Sequence, residues 1–257
     1  MPKSSPHKLG LIGKDIEYSF SPDYFDALFH HLNIVDEYTY EKWSMDTPED
    51  VISFLQTRPF YGCNVTIPYK KLAAQQCDVL IGFAAEIQAV NTIITVRDKL
   101  IGYNTDVYAV MKSITQIFQL KSIAACRELN KSVLVFGTGG ASAAVQAAVR
   151  SLGWVVQVVS RSAGADCISY KELKASINLA QFDILVNTTP LGLPAYIDEM
   201  VDINVDQITS NHVVFDLIYN PQKTLLLKRS ETQGARFMNG QYMLEQQADL
   251  AWEIWKN

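Results

Sequence analysis

The chain lacks any surplus of positive charge: 22 Lys and Arg stand against 27 Asp and Glu, a formal net charge of -5. Little is therefore present to neutralise a phosphate backbone or an anionic bilayer surface, so neither nucleic acid nor a membrane is an expected partner. Cysteine is scarce too. Cys63, Cys77, Cys126 and Cys167 show no CxxC spacing, and His7, His30, His31 and His212 form no HExxH helix that could hold zinc. Reduced, structural thiols and no metal are expected. No uncharged apolar run is long enough to span a bilayer, and Met1-Pro2-Lys3-Ser4-Ser5-Pro6 lacks the apolar core of a signal peptide. The expected location is the cytoplasm.

What is present in quantity is hydrophobic side chain, 48% of 257 residues, enough for a substantial core in one large or two smaller domains. Up to about residue 105, short apolar runs alternate with amphipathic stretches. The pattern predicts strands over 9–12, 37–43 and 61–65, helices over 22–31, 48–56 and 68–76, and a hairpin of 90–96 with 99–103 turning at Arg97-Asp98. Helical spacing follows over 107–118, and a polar stretch at 126–131 could separate two units. A second rhythm begins at Ser132 with Val133-Leu134-Val135-Phe136, an unbroken apolar run suited to a central parallel strand covered on both faces. Similar runs recur at 155–159, 183–186 and 212–215, and 241–255 reads as a helix with Leu244, Ala248, Ala251 and Trp255 on one side. The expected fold class is α/β: two α/β domains, the second a Rossmann-type doubly wound parallel sheet.

Gly137-Thr138-Gly139-Gly140-Ala141-Ser142 follows that strand directly and precedes a small-residue helix over 143–150, the setting of a dinucleotide-binding turn. Glycines there let the backbone turn sharply and approach a pyrophosphate, whose charge meets free amides and the positive end of the helix dipole. Ser142 occupies the third fingerprint position, where glycine is usual. At the end of the next strand an NAD site places Asp or Glu for the ribose 2′-hydroxyl, whereas this chain has Ser160-Arg161-Ser162. Arg161 can pair with a 2′-phosphate that a carboxylate would repel, so NADP is the expected cofactor. Read alone, Arg161 is also compatible with a solvated surface charge.

Several polar residues flank this unit. Pro68 at a first helical position puts Lys70 in the first turn, where the helix dipole disfavours the ammonium and favours the neutral amine that proton transfer uses. Lys71, turned about 100° around the helix, reads as an ordinary solvated lysine. Asn91 interrupts an apolar run and must find partners for a buried amide. Thr105 or Asp106 reads as a helix cap, and Ser19-Phe20-Ser21-Pro22 as a helix start. Gln247 lies on the apolar side of the last helix, facing core or a cleft.

Taken in order, these segments resemble the shikimate dehydrogenase family. The patterns SxSP, NVTxPxK, AVNT, NTD, GxGGA, NRT, NxTPxG and DxxYxPxxT are read at 19–22, 64–70, 89–92, 104–106, 137–141, 160–162, 187–192 and 216–224, and Gln247 lies in the terminal helix. The match spans nearly the whole chain. It implies NADP-dependent interconversion of 3-dehydroshikimate and shikimate, a step of aromatic amino acid biosynthesis. In that family's terms Lys70 carries the proton and Asp106 orients it. Ser19 and Ser21 hold the substrate carboxylate, Asn64, Thr66, Asn91 and Gln247 bond the ring hydroxyls, and Tyr219 reaches the site from the cofactor domain. The resemblance also implies cofactor contacts from Gly137, Thr138, Gly139, Gly140, Ala141, Ser160, Arg161, Ser162, Thr188, Leu217 and Gly240. It implies a substrate-binding catalytic domain of 1–106 with 239–257, an NADP-binding domain of 107–238, and a monomer or homodimer.

The sequence departs from the family at the adenosine end. The usual further basic residue after Arg161 is replaced by Ala163-Gly164-Ala165-Asp166, and the helix expected there is missing, because 169–175 resembles the later one. A more open adenosine pocket with weaker discrimination between NADP and NAD is expected. Two alternatives remain: a quinate or shikimate dehydrogenase with relaxed cofactor use, and a nucleotide-sensing regulator without turnover. Serine at both Ser19 and Ser21 favours the biosynthetic enzyme, and the joint presence of Lys70, Asp106 and Gln247 argues against a sensor, which needs only the cofactor turn.

Overall fold

A computed structural model describes residues 5–17 and 19–256. The chain divides into two compact units, Met1–Asp106 with Glu245–Asn257, and Val107–Leu244.

The first unit runs β1 (His7–Gly13), α1 (Ser21–Leu32), β2 (Tyr38–Ser44), α2 (Pro48–Thr57), β3 (Gly62–Val65), α3 (Lys70–Gln76), β4 (Val79–Leu80), α4 (Phe83–Ile87), β5 (Thr92–Val96) and β6 (Lys99–Tyr103). Its sheet has the order β2-β1-β3-β5-β6-β4, with β1 parallel to β2 and β3, and β5 antiparallel to β3 and β6. The antiparallel pair arises from the two-residue turn: Arg97 and Asp98 take φ of 49° and 58°, the left-handed geometry whose twist matches a tight hairpin. Neighbouring residues on a strand face opposite sides, so Ile93 joins a core with Val51, Leu55 and Ala73, while Ile94 joins one with Phe25, Phe29 and Trp252. Both faces of the sheet are thus covered by helices.

Pro68 is not a helical residue: the Ile67–Pro68 peptide is cis, Tyr69 is the N-cap, and α3 starts at Lys70. Lys70 nevertheless keeps its place in the first turn. The polar stretch at 126–131 does not separate the units, since their division falls between Asp106 and Val107.

The second unit is entered by α5 (Thr105–Ile117) and α6 (Ile123–Cys126), then β7 (Ser132–Phe136), α7 (Gly140–Ser151), β8 (Val155–Ser160), β9 (Ile168–Ser169), α8 (Tyr170–Ser176), β10 (Ile184–Asn187), β11 (Val213–Asp216), α9 (Leu225–Thr232) and β12 (Arg236–Met238). The six strands are all parallel in the order β12-β11-β10-β7-β8-β9. Strand order reverses between β7 and β10, which makes that edge-to-edge pair the switch point of a doubly wound sheet. Val133, Leu134, Val135 and Phe136 are exposed to 1% or less, as a central strand covered on both faces requires. Between β8 and β9 the described chain contains no helix, only the loop 161–167.

The last helix, α10 (Gln241–Trp255), returns the chain to the first unit. Trp255 is fully buried there and its indole nitrogen donates to the Ile93 carbonyl at 2.9 Å, which ties α10 to β5. No helix among the described residues is long and apolar enough to cross a membrane.

Candidate active site

The ends of β3, β5 and β6 and the starts of α3 and α5 bring the polar residues of the first unit together. Lys70, first residue of α3, stands 2.6 Å from Asp106 Oδ2, and the two side chains are only 16% and 9% exposed. A largely enclosed ion pair needs its remaining lone pairs satisfied. Asn91 does this, donating from Nδ2 to Asp106 Oδ1 at 2.9 Å and to Thr105 Oγ1 at 2.9 Å, while its Oδ1 accepts from the Thr105 amide at 2.7 Å. Thr92 donates to the same Oδ1 at 3.2 Å, so every hydrogen-bonding position of the Asn91 amide is engaged. The first amide of α5 is therefore capped by Asn91 from a neighbouring segment. The Asp106 carboxylate serves the lysine. This carboxylate, 2.6 Å from the ammonium, offsets the positive end of the α3 dipole at Lys70.

A second string of hydrogen bonds leads away from Asn91. Asn64 donates to the Asn91 carbonyl at 3.1 Å and to Thr92 Oγ1 at 3.2 Å, and its own Oδ1 accepts from the Tyr40 hydroxyl at 2.8 Å. Tyr40 stacks on Phe25 with ring centroids 4.3 Å apart. Burial pushes its hydroxyl well above the ordinary tyrosine range, against a hydrogen bond from Ser21 that acts the other way. Ser21 in turn meets Ser19, with hydroxyl oxygens 3.4 Å apart, and the Ser21 amide donates to Ser19 Oγ at 3.3 Å. Tyr40, Asn64, Asn91, Asp106 and Lys70 thus form one connected polar chain, with Ser21 and Ser19 at its Tyr40 end. Thr66 is half-buried and its hydroxyl bonds no described residue. Gln247 is half-buried on α10. Tyr40 and Thr92 escaped the sequence reading of the site. Tyr40 looks like any aromatic of a strand, and only the fold reveals its position between Ser21 and Asn64.

In the second unit, Gly137 takes φ +107°, a conformation L side chains rarely adopt, and a Cβ there would meet Thr188 Oγ1 at 2.8 Å. Gly139, the N-cap of α7, is different: a Cβ would touch nothing within 4 Å. Its glycine leaves open space beside the first-turn amides of Gly140, Ala141 and Ser142, which have no partner inside the helix. Thr138 is exposed, and Ser142 is fully buried and accepts from Gln146 at 3.1 Å, so a small residue suffices at the third fingerprint position. This turn sits at the switch point, with Thr188 donating to the Phe136 carbonyl at 2.6 Å from the adjoining strand end. The open space beside Gly139 and the unpaired first-turn amides suit a dinucleotide pyrophosphate. Arg161 and Ser162 are exposed just beyond β8, Ser160 is half-buried at its end, and Arg161 forms no ion pair among the described residues. The loop that follows closes on itself, with the Gly164 amide donating to the Cys167 carbonyl at 2.9 Å. It brings no second cation.

Leu217 and Tyr219 lie just after β11, both half-buried, and buried Gly240 comes so close to Leu217 that a Cβ would collide with its carbonyl. Among the described residues no group of three or more His, Cys, Asp or Glu side chains could hold a metal ion.

Comparison with known proteins agrees with these features. The model of the shikimate dehydrogenase substrate binding domain matches residues 11–93. The chain is 32% identical to the NADP(+) shikimate dehydrogenase of Desulforamulus reducens over 96% of its own length and 88% of the relative's. It is 33% identical to that of Methanococcus maripaludis, over 99% and 94%. The crystal structure of shikimate 5-dehydrogenase from Thermus thermophilus, in complex with NADP(H) and shikimate, matches with a TM-score of 0.83 at 27% identity, covering 97% of this chain and 93% of that one. The chain belongs to the shikimate dehydrogenase family.

Proposed function

We infer that this chain catalyses the NADP-dependent, reversible reduction of 3-dehydroshikimate to shikimate. The observation that carries the reading is the enclosed Lys70–Asp106 pair, 2.6 Å apart and continuous through Asn91 and Asn64 with Tyr40. When bound, NADPH would supply the hydride for the carbonyl carbon.

Lys70 provides the proton from Nζ for the oxygen that becomes the new hydroxyl, and takes it back in the oxidative direction. Asp106 holds the lysine head in place and compensates its charge, while Asn91 fixes the carboxylate against rotation. The Ser19 and Ser21 hydroxyls offer donors to the substrate carboxylate. Thr66, with a hydroxyl uncommitted among the described residues, and Asn64, with acceptor capacity remaining on Oδ1, suit ring hydroxyls, joined by Gln247. In the second unit Gly137, Thr138, Gly139, Gly140 and Ala141 would hold the pyrophosphate, Ser160, Arg161 and Ser162 the 2′-phosphate, and Thr188, Leu217 and Gly240 the rest of the cofactor, with Tyr219 beside the substrate. The first unit is thereby the substrate-binding part and the second the cofactor-binding part. Following NADPH formation with shikimate, then with quinate and with NAD, tests the reading; no turnover of shikimate with either cofactor would overturn it.

A further inference from the structure

Two carboxylates border the parallel sheet at opposite ends of β10 and β11, and they are treated differently. At the amino end Asp183 has a cation: Lys131 Nζ lies at 2.7 Å, the Ser132 amide donates at 2.8 Å, and these partners hold its carboxyl below the usual range. At the carboxyl end Asp216 is fully buried and forms no ion pair among the described residues. Its partners are neutral. Oδ1 accepts from Asn187 at 3.0 Å and from the Ile218 amide at 3.1 Å, and Oδ2 accepts from Thr224 at 2.7 Å. Burial outweighs these donors and raises its carboxyl to about 6. An uncompensated buried anion weakens a fold, so its presence calls for another benefit.

The location supplies one. Asn187 precedes Thr188, Asp216 precedes Leu217, and the Gly240 amide donates to the Ile218 carbonyl at 3.1 Å. Asn187 Oδ1 also accepts from the Thr189 amide at 3.0 Å, and Thr224 closes the loop that carries Tyr219. One carboxylate therefore ties the segments that bear Thr188 and Leu217 to Thr224, the Ile218 carbonyl next to it accepts from Gly240, and β10 alone separates it from the strand that carries the glycine turn. We propose that Asp216 is a positioning residue for the cofactor: its carboxylate sets the loops after β10 and β11 in the geometry that grips the dinucleotide, at the expense of fold stability. This rests on the cofactor assignment above, but not on the identity of the sugar acid.

NADPH affinity by fluorescence titration, read beside the melting temperature at pH 8, separates positioning from architecture. Asp216→Asn keeps the shape and loses the charge. It is expected to bind NADPH at least tenfold more weakly than the unaltered chain while melting at the same or a higher temperature. Asp183→Asn, at the other end of the sheet, is expected to melt lower and bind NADPH unchanged. Unaltered affinity in Asp216→Asn, or a loss of affinity accompanied by a lower melting temperature, would overturn the proposal. Should Asp216→Asn yield no folded protein, Thr224→Val decides, since it deletes only the donor to Oδ2: weakened NADPH binding with an intact circular dichroism spectrum supports positioning, and unchanged affinity overturns it. An unaltered chain that binds NADPH but does not oxidise shikimate would defeat the substrate reading and leave this test standing.

Discussion

Asp106 divides its carboxylate between two donors, with Lys70 at 2.6 Å on Oδ2 and Asn91 at 2.9 Å on Oδ1. The lysine head is thus fixed by a carboxylate that cannot itself rotate away. Lys70→Ala is expected to lower kcat by about 10²- to 10⁴-fold, the usual worth of a positioned proton carrier. NADPH affinity should stay the same, because the glycine turn and Arg161 are untouched. Steady-state rates beside a fluorescence titration of NADPH check both halves.

Asn91 acts on structure and chemistry together. Asn91→Ala leaves the Thr105 amide, the Thr105 hydroxyl and Asp106 Oδ1 without their present partner. Each buried polar group so stranded costs about 1 to 3 kcal/mol, less where water enters. Urea denaturation should show a loss of at least about 2 kcal/mol, and kcat should fall with it. An alanine variant of full stability would show that this amide is not structural.

Much of this was legible beforehand, and the failures have physical reasons. The hairpin at Arg97-Asp98, the central strand at Ser132–Phe136 and the absent helix after Ser160 were readable because turn length and unbroken apolar runs are local properties. The two-residue strands β4 and β9 were not, since neither is long enough to show a period. Pro68 read as a helix start because the sequence does not show its cis peptide. In the site, the residue types at 70, 91 and 106 are noticeable singly, and the pairing of Asp106 with Lys70, which crosses 36 residues of chain, comes only with the family resemblance. Tyr40 and the buried Asp216 carried no local mark of what surrounds them.

Stability should depend on pH through Asp216. Its folded-state carboxyl, raised from 3.8 to about 6, holds a proton more tightly than the unfolded chain does. Its stabilising contribution is whole below about pH 4 and is lost as pH climbs through about 6, a change of about 3 kcal/mol. Asp183, with its carboxyl lowered, works in the opposite sense at more acid pH. The difference in unfolding free energy between Asp216→Asn and the unaltered chain is therefore expected to grow in the variant's favour from pH 4 to pH 7. A difference that does not change over that range would show that Asp216 is not buried uncompensated.

In the proposed assignment, Arg161 is the one cation that selects the cofactor. Arg161→Ala removes charge-assisted bonds of about 1.5 to 3 kcal/mol, so KM for NADP should rise by roughly 10- to 100-fold. KM for NAD should barely move. With no second cation in the loop 161–167, that variant should use the two cofactors about equally well. A retained strong preference for NADP would mean that another residue holds the 2′-phosphate.

The most direct measurement is the initial rate of NADPH formation with shikimate, in the unaltered chain and in Lys70→Ala. Rapid turnover of shikimate with NADP, slower turnover with quinate, and near-complete loss of rate in the variant are expected. A chain that binds NADPH yet leaves shikimate unoxidised, or a Lys70→Ala variant that keeps the full rate, would contradict the assignment of this site.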